Sequence, residues 1–311
     1  MRSQAEVEEH IRAGFIGNAA GDAFGLPWEG RAPDEIDMDR VDELPATGRW
    51  ASGATSDDTA LTLLVAEHLA EHRGVGAPVA FLERLAARAD AIPGLGPSTT
   101  RALRQFRETA RVDARGSDTN GAPMRALPIG WAHPPSTAGQ RRSWTLELSR
   151  TTHGGHRALT AACVIAACAS WAIDGASVAE LVDVGVDEAA AVADRLGGGA
   201  AVVDALRRVR ARRWDPPPAG ISLDPAETVA AVLQCCLHAD GDLLTALRQA
   251  VRLGGDTDTV AGLVGGLLAC RHVPSEVVAA VPWLPRVSLP SQSQLIALSR
   301  ELATMRLGLQ G

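Results

Sequence analysis

The chain has 311 residues, 46% of them apolar, and carries 30 basic against 37 acidic side chains for a net charge of −7. This is enough apolar chain for a large core, and the acidic balance argues against a nucleic-acid partner, the one basic run at 207–213 reading as a solvated helix face. The N-terminus, MRSQAEVEEHIRAGF, lacks the apolar core of a secretion signal, and the longest uncharged apolar run, 260–270, falls short of the roughly 20 residues a bilayer span needs, so neither secretion nor a membrane is expected.

In chain order the dominant period is helical. Ile11, Phe15 and Ile16 share one face, and small residues recur at Gly17, Gly21 and Gly25, a pattern of close helix packing. Asp22 lies inside this apolar stretch and, if buried, needs either a salt bridge or a capping role. Pro27 then breaks the helix and leaves Glu29 on a loop beside Trp28. A second helix opens at Ser56-Asp57-Asp58-Thr59 and runs through Leu61, Leu64, Val65 and Leu69, and Phe81, Leu82 and Leu85 mark a third. Further helices are expected near 97–109, 157–173, 177–194, 200–213, 226–238, 242–252, 257–271 and 291–306. Gly- and Pro-rich segments at 25–33, 92–97, 116–123, 133–139 and 214–225 punctuate them, none long enough for an interdomain linker. Strand-like alternation is scarce. The expected fold is therefore all-α, with ten or more helices in a single domain over 1–311. The five cysteines (Cys163, Cys168, Cys235, Cys236, Cys270) fall in apolar helical stretches without C-x-x-C spacing, as reduced, buried thiols of a cytoplasmic protein would.

Two helix starts carry the chemistry. Ser and Asp are favoured N-caps, but a cap needs one acceptor, whereas Ser56, Asp57 and Asp58 offer three in succession. Adjacent aspartates repel unless a cation sits between them. Asp256-Thr257-Asp258-Thr259 repeats the anomaly some 200 residues on, after Gly254-Gly255, which free the backbone for close approach. An oxygen-only set of this kind suits hard divalent cations, Mg²⁺ or Mn²⁺, and two helix starts brought together would make a two-metal hydrolytic site. Gly262, Gly265 and Gly266 after the second motif imply a central helix closely approached by a neighbour. The loop Gly116–Arg125 is either a turn or a cradle of backbone N–H groups for phosphate. His153 and His156 lack a third soft ligand nearby, so a substrate contact or a capping role is expected rather than zinc.

In this order, G-x-x-x-G-D-A-x-G-x-P-x-E (Gly17–Glu29), S-D-D-T (Ser56–Thr59), N-G-x-x-M-R (Asn120–Arg125), T-H (Thr152-His153) and G-G-D-x-D-T (Gly254–Thr259) resemble the ADP-ribosylglycohydrolase family over about residues 10–270. The resemblance implies an orthogonal helical bundle with two divalent cations, Mg²⁺ or Mn²⁺, held by Ser56, Asp57, Asp58, Asp256, Asp258 and Thr259; serine replaces the usual threonine at 56 and keeps the oxygen. It implies catalysis through Glu29, Asp57 and Asp258, and substrate contacts from Ser117, Asn120, Gly121, Met124 and His153. Glu29 would act on the nucleophilic water, gate the site, bind metal, or be a mere loop residue. The expected activity is hydrolysis of the glycosidic bond between ADP-ribose and a protein side chain or small molecule, by a monomer. The rivals are another ribosyl conjugate, or a non-catalytic ADP-ribose-binding or crystallin-like body. The family often stacks adenine on an aromatic ring, frequently tyrosine; this chain has no tyrosine, so either a Trp or Phe serves there or the adenine contact is lost.

Overall fold

The structure, a computed structural model, describes residues 2–73, 77–112, 114 and 116–308. The described residues form fourteen α-helices and no strand. These are α1 (Gln4–Gly25), α2 (Asp57–His72), α3 (Pro78–Arg88), α4 (Pro97–Thr109), α5 (Leu127–Ala132), α6 (Ala138–Ser149) and α7 (His156–Ile173), followed by α8 (Val178–Leu196), α9 (Ala200–Arg210), α10 (Pro225–His238), α11 (Leu243–Arg252), α12 (Thr257–Ala269), α13 (Pro274–Ala280) and α14 (Gln292–Gly308). The periodic segments all appear. Two stop early: α12 ends at Ala269 rather than 271, and in the basic run α9 ends at Arg210, with Arg212 at a left-handed φ of 53°.

Helices α5, α6 and α13 had no counterpart in the periodicity. α5 has 6 residues and α13 has 7, too few to show a period. α6 buries Arg141, Thr145 and Ser149 on the face where apolar residues would have announced it. Arg141 and Arg142 meet Glu188 of α8 there, so the helix is docked by ion pairs as much as by hydrocarbon.

The centre is the antiparallel pair α1 and α12. A Cβ on Gly17 would overlap Ala269 and the Gly265 carbonyl, one on Gly21 the Ala261 carbonyl, and one on Gly25 the Thr257 carbonyl. The backbones therefore touch along the whole pair. Asn18 donates to the Gly262 carbonyl at 3.0 Å across the seam. The expectation of a central helix with a close neighbour is met, and the neighbour is the other glycine-spaced segment. Around this pair, Phe24 stacks on Trp283 with ring centroids 4.1 Å apart, and Phe15 meets Trp131 edge-on at 4.8 Å.

α7 is apolar enough to span a bilayer by length and composition, with 18 residues and mean hydropathy 1.4, but 83% of it is buried within the protein, as a core helix is. The chain is closed by Arg306 of α14, fully buried, which donates to the carbonyls of His133 (2.6 Å) and Ser170 (3.0 Å) and to the Asp174 carboxylate (2.7 Å). It supplies donors to the end of α5 and to α7, where helix carbonyls lack partners.

The α1–α12 seam predicts opposite outcomes for one kind of substitution. Gly21→Ala should destabilise by about 2 kcal/mol or more through overpacking. Gly139→Ala, in α6 with open space around it, should be neutral or slightly stabilising, since Gly costs roughly 0.5–1 kcal/mol relative to Ala in a helix. Urea titration of both variants reads the difference; equal midpoints would sink the close-packing account.

Candidate active site

The start of α2 is capped from outside its own chain segment. The Asp22 carboxylate, on α1, accepts the Ser56 N–H at 3.0 Å, the Thr59 N–H at 3.1 Å and the Thr59 hydroxyl at 2.5 Å. Of the two readings of Asp22, capping is the one realised. The Ser56 side chain also accepts the Asp58 N–H at 3.2 Å. With the orphan donors satisfied in this way, the Asp57 and Asp58 carboxylates are left over for other work.

The start of α12 shows the same surplus more plainly. Asp256 holds the N-cap position but its carboxylate makes no capping bond. It accepts instead from the Asn120 amide, which also donates to Thr228 Oγ1 at 2.9 Å. Gly254 and Gly255 have φ of 68° and 74°, the left-handed region that favours glycine. The Gly255 carbonyl accepts the Gly30 N–H at 2.8 Å and the Gly255 N–H donates to the Arg31 carbonyl at 2.8 Å, so the Glu29 loop is stitched to the turn that launches Asp256. On the other side the Asp256 N–H donates to the Ile221 carbonyl at 2.8 Å. Close backbone approach at the glycine pair, expected from sequence, occurs on both flanks.

The two starts share a cavity of about 220 Å³ lined by Glu29, Asp57, Asp58, Asp256, Asp258 and Thr259, and also by Gly94–Thr99, Thr119, Asn120, Gly121, Met124, His153 and Leu223. One oxygen each of Glu29, Asp256 and Asp258 lie within 4.8 Å of one another, close enough to share a cation, although Glu29 itself stands exposed at the rim. Thr259 donates to Asp58 at 3.4 Å, joining the two motifs, and Ser56 reaches the same oxygen at 3.4 Å. Asp58 Oδ1 and Asp258 Oδ1 are buried without a hydrogen-bond partner. Two orphaned carboxylate oxygens in an oxygen-only set are what a hard cation fits.

Burial comes first in raising every one of these acids. It lifts Asp57 to about 7, helped by the charge of Asp22, and Asp22 to about 6 against the bonds from Thr59 and Ser56. Burial and then neighbouring carboxylates hold Asp58 and Asp258 well above the ordinary range. Asp256 is raised by burial, with Asn120 pulling the other way; Glu29 is raised by burial and by Asp256 and Asp22, with Arg49 opposing.

Of the sequence-derived substrate residues, Asn120, Gly121, Met124 and His153 line the cavity. Both Asn120 amide hydrogens are committed to Asp256 and Thr228, so the residue orients a carboxylate rather than presenting its amide to a ligand. Ser117 does not line the cavity: its backbone pairs with Ala114 and Gly155 and fixes the loop. No Trp or Phe is among the lining residues, so the expected aromatic is replaced on the walls by Leu95, Met124 and Leu223. The sequence reading missed the start of α4, Gly94 to Thr99, and Thr119. The signal was available: Gly96-Pro97-Ser98-Thr99 is a third glycine-led, hydroxyl-rich helix start.

A model of the ADP-ribosylglycohydrolase family matches residues 3–307. An uncharacterized protein of Archaeoglobus fulgidus is 27% identical over 273 residues, covering 85% of this chain and 88% of that relative. The uncharacterized protein YegU of Escherichia coli K12 is 28% identical over 296 residues, with coverage of 85% and 88%. Among solved structures, an ADP-ribosylglycohydrolase-related protein complex superimposes with a TM-score of 0.78 at 26% identity, over 97% of this chain and 99% of the other.

The raised carboxyls fix the pH dependence of the metal-free protein. With folded pKa values of about 6 for Asp22 and about 7 for Asp57 against an ordinary value of 3.8, the folded state holds protons that the unfolded chain has released. Their contribution to stability is therefore full at low pH, falls as pH rises from about 4 to about 7, and is level above that. Asp57→Asn should raise the stability of the EDTA-treated protein at pH 8 by roughly 1–3 kcal/mol and flatten this slope. Thermal melts at five pH values check it; a destabilised Asp57→Asn at pH 8 would contradict the electrostatic account.

Proposed function

Because the chain belongs to the ADP-ribosylglycohydrolase family, we propose that it is a metal-dependent hydrolase that cleaves the glycosidic bond between ADP-ribose and an acceptor, a protein side chain or a small molecule. The observation that carries this reading is the meeting of two carboxylate-bearing helix starts around one cavity, with buried Asp58 and Asp258 oxygens left without partners. A non-catalytic body would gain nothing from such a cluster, since buried like charges cost stability.

Two divalent cations, Mg²⁺ or Mn²⁺, would be held by Ser56, Asp57, Asp58, Asp256, Asp258 and Thr259. When bound they supply Lewis acidity at the ribose and offset the carboxylate charge. The chain's own residues do the rest. Asn120 and Thr259 orient Asp256 and Asp58. Glu29 stands at the mouth with its carboxyl raised above the ordinary value by partial burial and by Asp256, a direction that favours a group taking a proton from water as the bond breaks. Its place beside Asp256 and Asp258 also fits a shared ligand role. His153 and residues Asn120, Gly121 and Met124 also line the cavity, where they would position the diphosphate.

Three outcomes follow. Millimolar Mn²⁺ or Mg²⁺ should raise the melting temperature; a site held at 100 times its Kd contributes roughly 2.7 kcal/mol, and an unchanged melt with and without EDTA would refute the metal site. Asp256→Asn should lose most hydrolysis of ADP-ribosylated substrate while remaining helical by circular dichroism, and wild-type turnover in that variant would remove the motif from the mechanism. Glu29→Gln should slow single-turnover cleavage by about 10²–10⁴-fold with Mn²⁺ affinity retained if Glu29 serves water alone. A parallel loss of affinity in calorimetry would assign it as a ligand instead.

A further inference from the structure

One chain of polar contacts at the cavity wall has a direction fixed by chemistry. Arg125, fully buried, donates from Nη2 to Thr152 Oγ1 at 2.6 Å. Thr152 Oγ1 is 2.8 Å from His153 Nδ1, His153 Nε2 is 3.1 Å from Thr119 Oγ1, and Thr119 Oγ1 is 3.1 Å from Ser98 Oγ. Ser98 and Thr119 line the cavity beside the carboxylates. A guanidinium has no acceptor, so the first step can run only one way. Thr152 then accepts from Arg125 and has a single proton left. Thr152 and His153 are buried, and among the described residues the one acceptor in hydrogen-bond reach of the Thr152 hydroxyl is His153 Nδ1. Were Nδ1 protonated, the Thr152 proton would be buried without a partner, which folded proteins avoid.

We infer that Arg125 and Thr152 are positioning residues that hold His153 as the Nε2–H tautomer and thereby make the Thr119–Ser98 hydroxyl pair a net donor to the cavity. Nε2–H donates to Thr119, and whichever of the Thr119 and Ser98 hydroxyls donates to the other, one proton of the pair is left for a ligand. This part of the lining thus offers a donor, matched to an acceptor-only oxyanion such as a phosphate oxygen. Two further features hold the arrangement. A Cβ on Gly121 would stand 2.8 Å from His153 Cε1 and 2.9 Å from Nε2, so the ring rests against the loop backbone. Burial and the charge of Arg125 push His153 down to about 3, so the ring stays neutral and keeps one proton to place. Arg125, although lowered by burial to about 10, remains charged at neutral pH.

The ligand assignment rests on the proposed function; the tautomer does not. The test is long-range ¹H–¹⁵N correlation on protein labelled at histidine, the His153 signals being identified by their loss in His153→Gln. Wild type and Thr152→Ser, which keeps the hydroxyl, should show protonated Nε2 and bare Nδ1. Thr152→Val should lose that preference and bind ADP-ribose about tenfold more weakly in calorimetry, the scale of one good hydrogen bond to a charged group. Protonated Nδ1 in the wild type would overturn the inference, as would an unaltered tautomer in Thr152→Val. Nε2–H in a wild-type protein that binds no ADP-ribose would uphold the relay and remove the functional reading instead.

Discussion

Backbone contact between α1 and α12 is the constraint on which the site depends. Glycines at 17, 21 and 25 meet the facing helix at Gly265, Ala261 and Thr257 without intervening side chains. Two helices this close have little freedom to slide or rotate, because each carbonyl sits in a notch on its neighbour. Two consequences reach the site directly. Thr257 at the start of α12 donates to the Gly25 carbonyl at the end of α1 at 2.8 Å, and Asp22, one turn earlier on α1, caps α2. A single helix end thus fixes the starts of two others that are far apart in sequence. The glycine seam costs conformational entropy on folding, and what it returns is position.

The capping arrangement explains how acidic residues can crowd here at all. Helix N-termini carry partial positive charge and favour carboxylates, so two such ends pointing at one cavity soften the repulsion among Asp57, Asp58, Asp256 and Asp258. The softening is incomplete, since burial still raises every one of them. Asp22 meets the backbone donors of α2, and Asn120 holds Asp256 away from its own capping bond. The protein spends capping groups from elsewhere so that the local acids stay free. Such a cluster is a destabilised patch held by a rigid surround, the usual bargain of a functional site.

Much of this was legible in the residues because it is local. Surplus acids after a helix stop, glycines at every fourth position, and Pro27 ending α1 before Glu29 each follow from short-range chemistry. The all-α class followed from periodicity wherever the buried face was apolar. Where buried polar groups took that face, as Arg141 and Thr145 do on α6, the period vanished with it. What the sequence could not give is which groups meet. Asn120 is a substrate contact by the family resemblance alone; its amide is bonded to Asp256 and Thr228, the nearer in sequence 108 residues beyond it. Ser117, implied by the same resemblance, is not among the residues that line the cavity. The expected aromatic wall was an inference from resemblance, and no residue of this chain's own pattern supported it. The start of α4 carried a readable pattern but no carboxylate, and so it drew no notice.

The cavity lining is of two kinds. From α2 and α12 come carboxylates, two of whose oxygens are unmatched. From the start of α4, the 116–124 loop and His153 come hydroxyls and a neutral ring. Leu95, Met124 and Leu223 offer hydrocarbon rather than a flat ring. A ligand that satisfies both kinds must bring positive charge, or cations, to one and oxyanions to the other. Neither alone would distinguish one phosphate ester from another. The placement of one relative to the other does so, and the observed tie between them is the Asn120 amide on Asp256, which fixes the loop that carries Thr119. Selectivity is in that sense a property of the bundle: the glycine seam holds the carboxylate-bearing helix starts together, and Asn120 joins the hydroxyl-bearing loop to them.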